Sequence, residues 1–580
     1  MPVLSDERVS EAGPDRLGLS VTSLRISDGR AVNVPQGGVV LFVGPNNAGK
    51  SRALRDIYSQ LVHANARGIV VTEIEANREG GEAAIRAWLA DHAFPNPADG
   101  RADVTYTRNG HSIPVSQAVA HWNTDPRNLG EVAPMMAFHA AAEQRLGLVG
   151  STASYDPINQ APSVPLQVLF TRRDLSDRLS KAAYAAFGEH LTVNRAAGPM
   201  VHLHVGHTEE LALPDNASYQ EEIREMPLVQ DQGDGMKSLI GLMLALVAPG
   251  HQIVLVDEPE AFLHPPQARL LGRLLADEHP DEAQLFIATH SADVVQGFLD
   301  ATSDVTVVRL ERSGSVNASA VLEPSRVQEL GREPLLRYSE ILEGLFHTGV
   351  ILCEGDADCR FYQATLDASL SRSAHRPHDL LFTHCGGKAR MPSVVRALRA
   401  VAVPVRVIAD IDVLNDEGTL RALVDALEGE WASIESDWRL LDSQVRSMGS
   451  PPLLSTIREQ IERVLDEADE SRLTSELTKS IRDLTKSQGG WSLVRATGGI
   501  RAVPAGDATQ AAERLLDSLA NLGLFVVSVG ELEDWARDVG GHGPGWSTEA
   551  LERGVHQQSA GHSEFVLRVA ESLGAHGQSG

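Results

Sequence analysis

At 580 residues, 42% hydrophobic and 22% charged, the chain has the composition of a globular protein too long for a single core. Its formal charge of −27 excludes a generally basic nucleic-acid binder, though not a local basic groove. Aromatics at 5% leave few stacking platforms for single strands, and the longest apolar run, residues 239–248, is far short of the roughly 20 residues of a membrane span.

Cys353, Cys359 and Cys385 lack zinc-ligand spacing, and three cysteines cannot form a paired disulfide framework. A reducing cytoplasm is expected, and the polar stretch 1–14 has no signal-peptide pattern. Lysine occurs only at 50, 181, 237, 388, 479 and 486, and Lys50, Lys237 and Lys388 fall inside the motifs below.

In chain order, a short strand pattern over 19–43 ends in "GGVVLFVG", a buried strand entering a glycine-rich turn. A mixed region follows, with an arginine-rich helical piece, "FTRRDLSDRLSKAAYAAFGEHL". "HQIVLVDEPE" and "AQLFIATHS" are further apolar strands ending in polar residues, with a helical pattern between them. This alternation predicts a parallel α/β sheet. Near 311–336 the pattern weakens into Ser, Gly, Pro and charge, which places a domain boundary at about 335–336.

"GPNNAGKS" (44–51) fits G-x-x-x-x-G-K-[ST] between a strand and a helical pattern. Gly44, Asn46, Asn47 and Gly49 let backbone N–H groups wrap a phosphate, Lys50 adds a point charge and Ser51 reaches Mg²⁺, with Arg52 beside it. Asp257 closes the next strand as a second magnesium partner, Glu258 is the candidate base that polarises water, and His290 is placed to contact the γ-phosphate. With "DEPEAFLHP", "THS" and the upstream "QGDGMKS" (232–238), this set resembles the ATPase heads of ABC type found in SMC and recombination-repair proteins. The resemblance implies an ATP-bound head-to-head dimer, with Gly235 of a degenerate signature loop completing the partner's site and Gln144 a weak glutamine-loop candidate. The 150–230 region is the expected dimerisation insert.

A second alternating series runs through "TGVILCEG", "LLFTHCGGK" and "VRVIADID". A long amphipathic stretch at about 418–490 interrupts it, with apolar residues mostly three or four apart from Ile457 to Leu484. "LGLFVVSVGELEDW" resumes the sheet, and a Gly- and His-rich tail follows 540. Parallel strands bring their carboxyl ends to one edge, so Glu354, Asp358, Asp410 and Asp412 can converge there, the last two on one face at strand spacing. Gathered carboxylates repel unless a proton or cation intervenes, and hard oxygen ligands suit Mg²⁺ or Mn²⁺. Glu531 and Glu533 are candidate ligands of a second metal, and Lys388 a candidate phosphate contact.

Glu-Gly at one strand end and Asp-x-Asp at another resembles the TOPRIM fold of topoisomerases, primases and certain nucleases. An ABC-type head (1–335) followed by a TOPRIM domain with a helical insertion (336–540) is similar to the OLD family nucleases, among them the nuclease subunit of the Gabija anti-phage system. That resemblance implies an ATP-regulated, metal-dependent DNA endonuclease of phage defence, a homodimer or dimer of dimers, and a helicase-like partner. Its cofactors would be ATP with one Mg²⁺, and two Mg²⁺ or Mn²⁺ ions at the TOPRIM site. Family members carry a late catalytic lysine, whereas none follows Lys486 here; Arg537, Arg553 or Lys388 would have to substitute. An RNA or tRNA nuclease, and a non-catalytic ATP-driven clamp, stand as the other readings. The basic stretches 172–181 and 388–406 are either a nucleic-acid path or solvated helix faces.

Overall fold

The computed structural model describes residues 17–574 except 64, 97–102, 125–126, 128, 208–216, 248–249, 303, 315, 328–339, 373–378, 449–453, 467–476, 479–480, 482–488 and 559. The chain divides into two compact units, Met1–Phe346 and His347–Gly580. The boundary expected at 335–336, and Ala468, Leu473 and Leu484 of the expected helical stripe, lie outside the described residues. No helix among the described residues is long and apolar enough to cross a membrane.

The first unit is built on a six-stranded sheet in the order 316–322, 305–313, 39–43, 284–288, 253–257, 137–140. All neighbours are parallel except Val316–Leu322, which returns antiparallel on Val305–Ser313. The strand Val39–Val43 is buried along its whole length, as the run "VVLFV" requires in a sheet covered on both faces. Helix Lys50–Val62 lays Ala53, Leu54, Ile57 and Leu61 into the core, the three- and four-residue spacing of an apolar stripe. The arginine-rich piece forms two helices, Pro165–Thr171 and Arg173–Phe187, separated at Arg172, whose extended backbone interrupts them. In the chain they fall between the strands of a small antiparallel sheet, Thr152–Ala153 before them and His190–Asn194 and Met200–Gly206 after.

The second unit holds a four-stranded, all-parallel sheet in the order 380–384, 349–353, 405–409, 524–526. Between its third and fourth strands come the helices Glu417–Ala426, Glu435–Ser447, Leu454–Asp466, Gly490–Thr497 and Asp507–Leu522. The stretch beyond 540 is not a free tail: Trp546, Val555 and Phe565 join Phe361, Tyr362 and Phe525 in the core of this unit. Its glycines and histidines hide an apolar stripe, Phe565-Val566-Val569-Ala570, that needs a surface to cover.

Of the two basic stretches, the second is partly structural. Arg406 is buried and donates to the Ser572 hydroxyl and carbonyl. In the first, Arg172 pairs with Asp174 and Arg178 with Glu278.

One buried side chain joins two sheets of the first unit. Gln284, 1% exposed, accepts from the Val21 backbone N–H at 2.7 Å and donates to the Val21 and Pro35 carbonyls at 2.8 and 2.9 Å. Gln284→Leu leaves these buried backbone groups unpaired, an expected cost of roughly 2–4 kcal/mol read as a lower urea midpoint. A change within about 0.5 kcal/mol would mean that the strand Gly18–Ile26 is held by its apolar contacts alone.

Candidate functional site

The phosphate loop leaves Val39–Val43 and enters helix Lys50–Val62 through Gly49, whose φ of 92° only glycine adopts without strain. Asn47 also has positive φ, 62°, which asparagine tolerates better than most residues. Lys50 Nζ donates to the Gly44 and Pro45 carbonyl oxygens at 2.8 and 3.0 Å, so the loop is curled around its own lysine. Ser51 follows in the first helical turn. Arg52 faces Asp56 at 2.7 Å, and Asp56 in turn accepts from the N–H groups of Ile69, Val70 and Val71. Arg52 is thus a structural partner of the helix here, because a buried carboxylate claims it.

Asp257 closes its strand two places along the sheet from the loop strand, and its Oδ1 is buried with no hydrogen-bond partner among the described residues. Glu258 follows in a left-handed conformation, φ 48°, with its side chain half exposed. Its N–H donates to the Ala288 carbonyl at 2.8 Å, which pins the turn to the neighbouring strand. His290 Nδ1 lies 3.1 Å from Glu260 Oε1 and 3.9 Å from Glu258 Oε1. The signature segment opens helix Asp234–Val247, Lys237 pairs with Asp234, and Gly235 packs against the Phe262 carbonyl.

Three residues here escape a reading by motif. Glu260 accepts from Thr289 Oγ1 and the His290 N–H, both at 2.8 Å, and fixes the histidine turn. Arg145 is fully buried and donates to the carbonyls of Asp257 and Glu258 at 3.1 and 2.8 Å. Burial pulls its guanidinium down to about 10, which leaves it charged at neutral pH. Its neighbour Gln144 is exposed. His139, paired in register with Leu255, is held below the usual imidazole range by burial.

At the second site the parallel sheet delivers the acids to one edge. Glu354 follows Gly349–Cys353, Asp410 follows Val405–Ala409, and the Glu531 segment follows Leu524–Val526. The Asp410 N–H donates to Glu354 Oε1 at 3.2 Å, and Asp358 Oδ2 accepts from the Gly355 N–H at 2.8 Å. Burial, then Asp412, pushes the Glu354 carboxyl up to about 7. Burial likewise raises Asp358 to about 6, with Glu533 adding to it. Asp410 is held well above the carboxylate range by burial and by Glu354, Asp358, Glu531 and Asp412.

The strand stops at Ala409. Asp412 therefore does not share Asp410's face at strand spacing; it sits in the 3₁₀ turn Ile411–Asn415. Nor is metal the acids' only prospective counter-charge. Lys388 Nζ lies 2.7 Å from Asp412 Oδ2, and Arg495 pairs with Glu531. Asp412 Oδ1 is buried without a partner among the described residues. Glu533 accepts from the Gly543 N–H at 2.6 Å and groups with Glu531 and His542, close enough together to hold one ion. Arg537 and Arg553, two of the residues expected to substitute for a late lysine, pair with Asp534 and Glu549. Arg495 and His542 carry no motif; only the histidine-rich composition beyond 540 hinted at the second.

These residues fit hard divalent cations at both sites. Asp257 Oδ1 and Asp412 Oδ1 are orphaned acceptors, and the raised carboxyls of Glu354, Asp358 and Asp410 form no ion pair with Lys or Arg among the described residues.

Comparison with known proteins follows the two parallel sheets. Residues 210–295 match a family described as "AAA domain, putative AbiEii toxin, Type IV TA system". Residues 345–412 match "Overcoming lysogenization defect protein-like, TOPRIM domain". The chain is 24% identical over 170 residues to a protein of Escherichia phage P2 named "Old nuclease", covering 28% of each. It is 30% identical over 203 residues to the "OLD nuclease" of Thermus scotoductus, covering 31% of this chain and 35% of the relative. The chain thus matches about a third of the length of these curated relatives. Among solved structures, an SMC head domain from Thermotoga maritima aligns with 53% of this chain at 14% identity and TM-score 0.28. An SMC head bound to the winged-helix domain of ScpA aligns with 54% at 14% identity and TM-score 0.32.

The raised carboxyls fix the sign of a pH effect on the metal-free protein. Glu354 and Asp358 bind protons more tightly folded than unfolded, where their values are 4.5 and 3.8. Their contribution to stability is therefore present at low pH and lost as pH rises through about 6 to 7. Once acid denaturation elsewhere is excluded by circular dichroism, the metal-free protein should melt higher at about pH 5.5 than at about pH 7.5. The stabilisation by Mn²⁺ should run oppositely, growing with pH because binding displaces these protons. Asp410→Asn should raise the metal-free melting temperature and remove most of the Mn²⁺ response; an unfolded variant would make the carboxylate a structural group.

Proposed function

We propose that this relative of the OLD nucleases is an ATP-regulated, divalent-metal-dependent DNA endonuclease of anti-phage defence. The observation that carries the reading is the gathering of Glu354, Asp358 and Asp410 at one sheet edge, held out of the ordinary carboxylate range with no paired cation among the described residues. Carboxyls gathered there need a proton or a cation to offset their repulsion, which supports a site that holds a metal ion.

Glu354, Asp410 and Asp412 would hold the metal, with Asp358 behind them, and Glu531, Glu533 and His542 a second ion. Mg²⁺ or Mn²⁺ bound there supplies positive charge to a phosphodiester undergoing displacement and lowers the pKa of water. Lys388, anchored on Asp412, presents an ammonium to the backbone phosphate. Contacts of this kind to the backbone supply affinity and position without reading sequence.

In the other unit, Lys50 and the loop N–H groups bind the phosphates of ATP, while Ser51 and Asp257 hold its Mg²⁺. Glu258 orients the attacking water and Glu260 fixes His290 beside it. The resemblance of its motifs to ABC-type ATPase heads supports ATP-dependent dimerisation, with the 150–230 region as the contact. Because the two sites lie in separate units, ATP can affect cleavage only by favouring one conformation over another. The sign of that effect is not readable from the sequence; resemblance to the Gabija-like nucleases implies that nucleotide restrains the cut.

Three variants test this reading with plasmid DNA, Mn²⁺ and ATP. Asp410→Ala should lower cleavage by about a hundredfold or more while sparing ATP hydrolysis. Lys50→Ala and Glu258→Gln should keep cleavage without nucleotide and lose the wild-type response to ATP. If folded Lys50→Ala fails to cut without nucleotide, hydrolysis drives the reaction and the gating scheme is wrong. Parallel incubation with tRNA decides between DNA and RNA, and unchanged cleavage by Asp410→Ala would remove the nuclease assignment.

A further inference from the structure

The acids of the second unit fall into two sets by what neutralises them. Glu354, Asp358 and Asp410 pair with no Lys or Arg among the described residues, whereas Asp412 is held by Lys388 and Glu531 by Arg495. Lys388 arrives from the turn after a sheet strand. Arg495 comes from the helical segment inserted between the last two strands, and nothing in the sheet requires it.

Its placement is built. The helix Gly490–Thr497 packs so closely on helix Glu435–Ser447 that a Cβ on Gly490 would lie 1.7 Å from the Val445 carbonyl oxygen. Trp491, 5% exposed, donates from Nε1 to Asp442 Oδ1 at 2.8 Å, and Arg495 lies one helical turn further on. Beyond it, the Ile500 N–H donates to the Ser528 carbonyl at 2.8 Å, just ahead of the segment bearing Glu531. Arg495 is thereby fixed from both sides, yet its side chain is 47% exposed while Glu531 is 15% exposed. About half of the Arg495 side chain is thus accessible beside a mostly covered carboxylate, and a guanidinium is the planar fork that matches phosphate.

We propose that Arg495 is a phosphate-binding residue which, until backbone phosphate arrives, occupies Glu531 in competition with divalent metal. The inference rests on the nuclease reading above and adds an order of events at that site. Arg495 and the metal cannot both have full use of one carboxylate. Phosphate that draws the guanidinium away frees Glu531, so nucleic acid and the last metal ion must strengthen each other's binding by the same factor. The protein would then complete its metal set only in the presence of substrate.

The test uses the full chain and two separate probes. In Mn²⁺ titration calorimetry without nucleic acid, Arg495→Ala should tighten the weakest site roughly two- to fivefold, the scale of a part-exposed ion pair. Arg495→Lys should stay near wild type. The gain must vanish in Arg495→Ala/Glu531→Gln, because it acts through that carboxylate. Arg514→Ala removes the same charge from a pair with Asp437 and should leave Mn²⁺ affinity unchanged. In binding of a short DNA duplex without divalent metal, Arg495→Ala should weaken affinity and reduce the salt slope by about one.

Unchanged Mn²⁺ affinity in Arg495→Ala, or a gain that survives Glu531→Gln, overturns the competition. Unchanged DNA affinity and salt slope overturn the phosphate contact. If wild type binds no Mn²⁺ and Asp410→Ala behaves identically, the nuclease reading itself falls, and the proposal falls with it by a separate observation.

Discussion

Like charge confined at the carboxyl edge of a parallel sheet is the constraint on which the second unit depends. Strands that run the same way must end on the same side, so acids at Glu354, Asp410 and the turn after Leu524–Val526 meet whether or not solvent can reach them. Desolvation and mutual repulsion then act together, and both raise the affinity for a proton or a metal ion. Much of the surrounding architecture supplies charge to that edge. Lys388 comes from one crossover and Arg495 from an insertion held by packing at its base. The non-sheet elements are therefore electrostatic parts of the site as much as coverings of a core.

The first unit meets a related problem by geometry. Its acids sit at the end of Ile253–Asp257, but here hydrogen bonds fix their backbone in an unusual shape. Arg145 holds two successive carbonyls from beneath, Ala288 accepts the Glu258 N–H, and Glu258 itself turns left-handed. A non-glycine residue at φ 48° costs energy that the neighbours must offset, which ties the position of its carboxylate to two other elements. Glu260, two residues on, is buried and spends its charge on Thr289 and His290.

What was legible in the sequence was whatever a strand or a glycine-rich turn announces locally. "VVLFV", "IVLVD" and "GVILC" are apolar runs without alternation because both their faces are covered, "VRVIA" is the same but for Arg406, and each was readable together with the glycine or acid that ends or follows it. Groups placed by tertiary packing were not legible. Asp412 continues an apolar-acid alternation in sequence, but the ladder ends before it because the Asp410 N–H is taken by Glu354 and the Ile411 N–H by the Gly530 carbonyl. Arg495 stands in an ordinary amphipathic helix, and its charge matters only because Gly490 and Trp491 anchor that helix where they do. Arg406 read as one more cation of a basic stretch, although it lies inside, bonded to Ser572.

The anchoring of Trp491 and Gly490 on the helix Glu435–Ser447 also ties residues distant in the chain to one charge at the sheet edge. The Asp442 carboxylate holds the Trp491 indole, and the Val445 carbonyl leaves room at position 490 for hydrogen alone. Loss of that carboxylate, or any side chain at 490, would reach the acids through the cation it displaces, although neither position touches them.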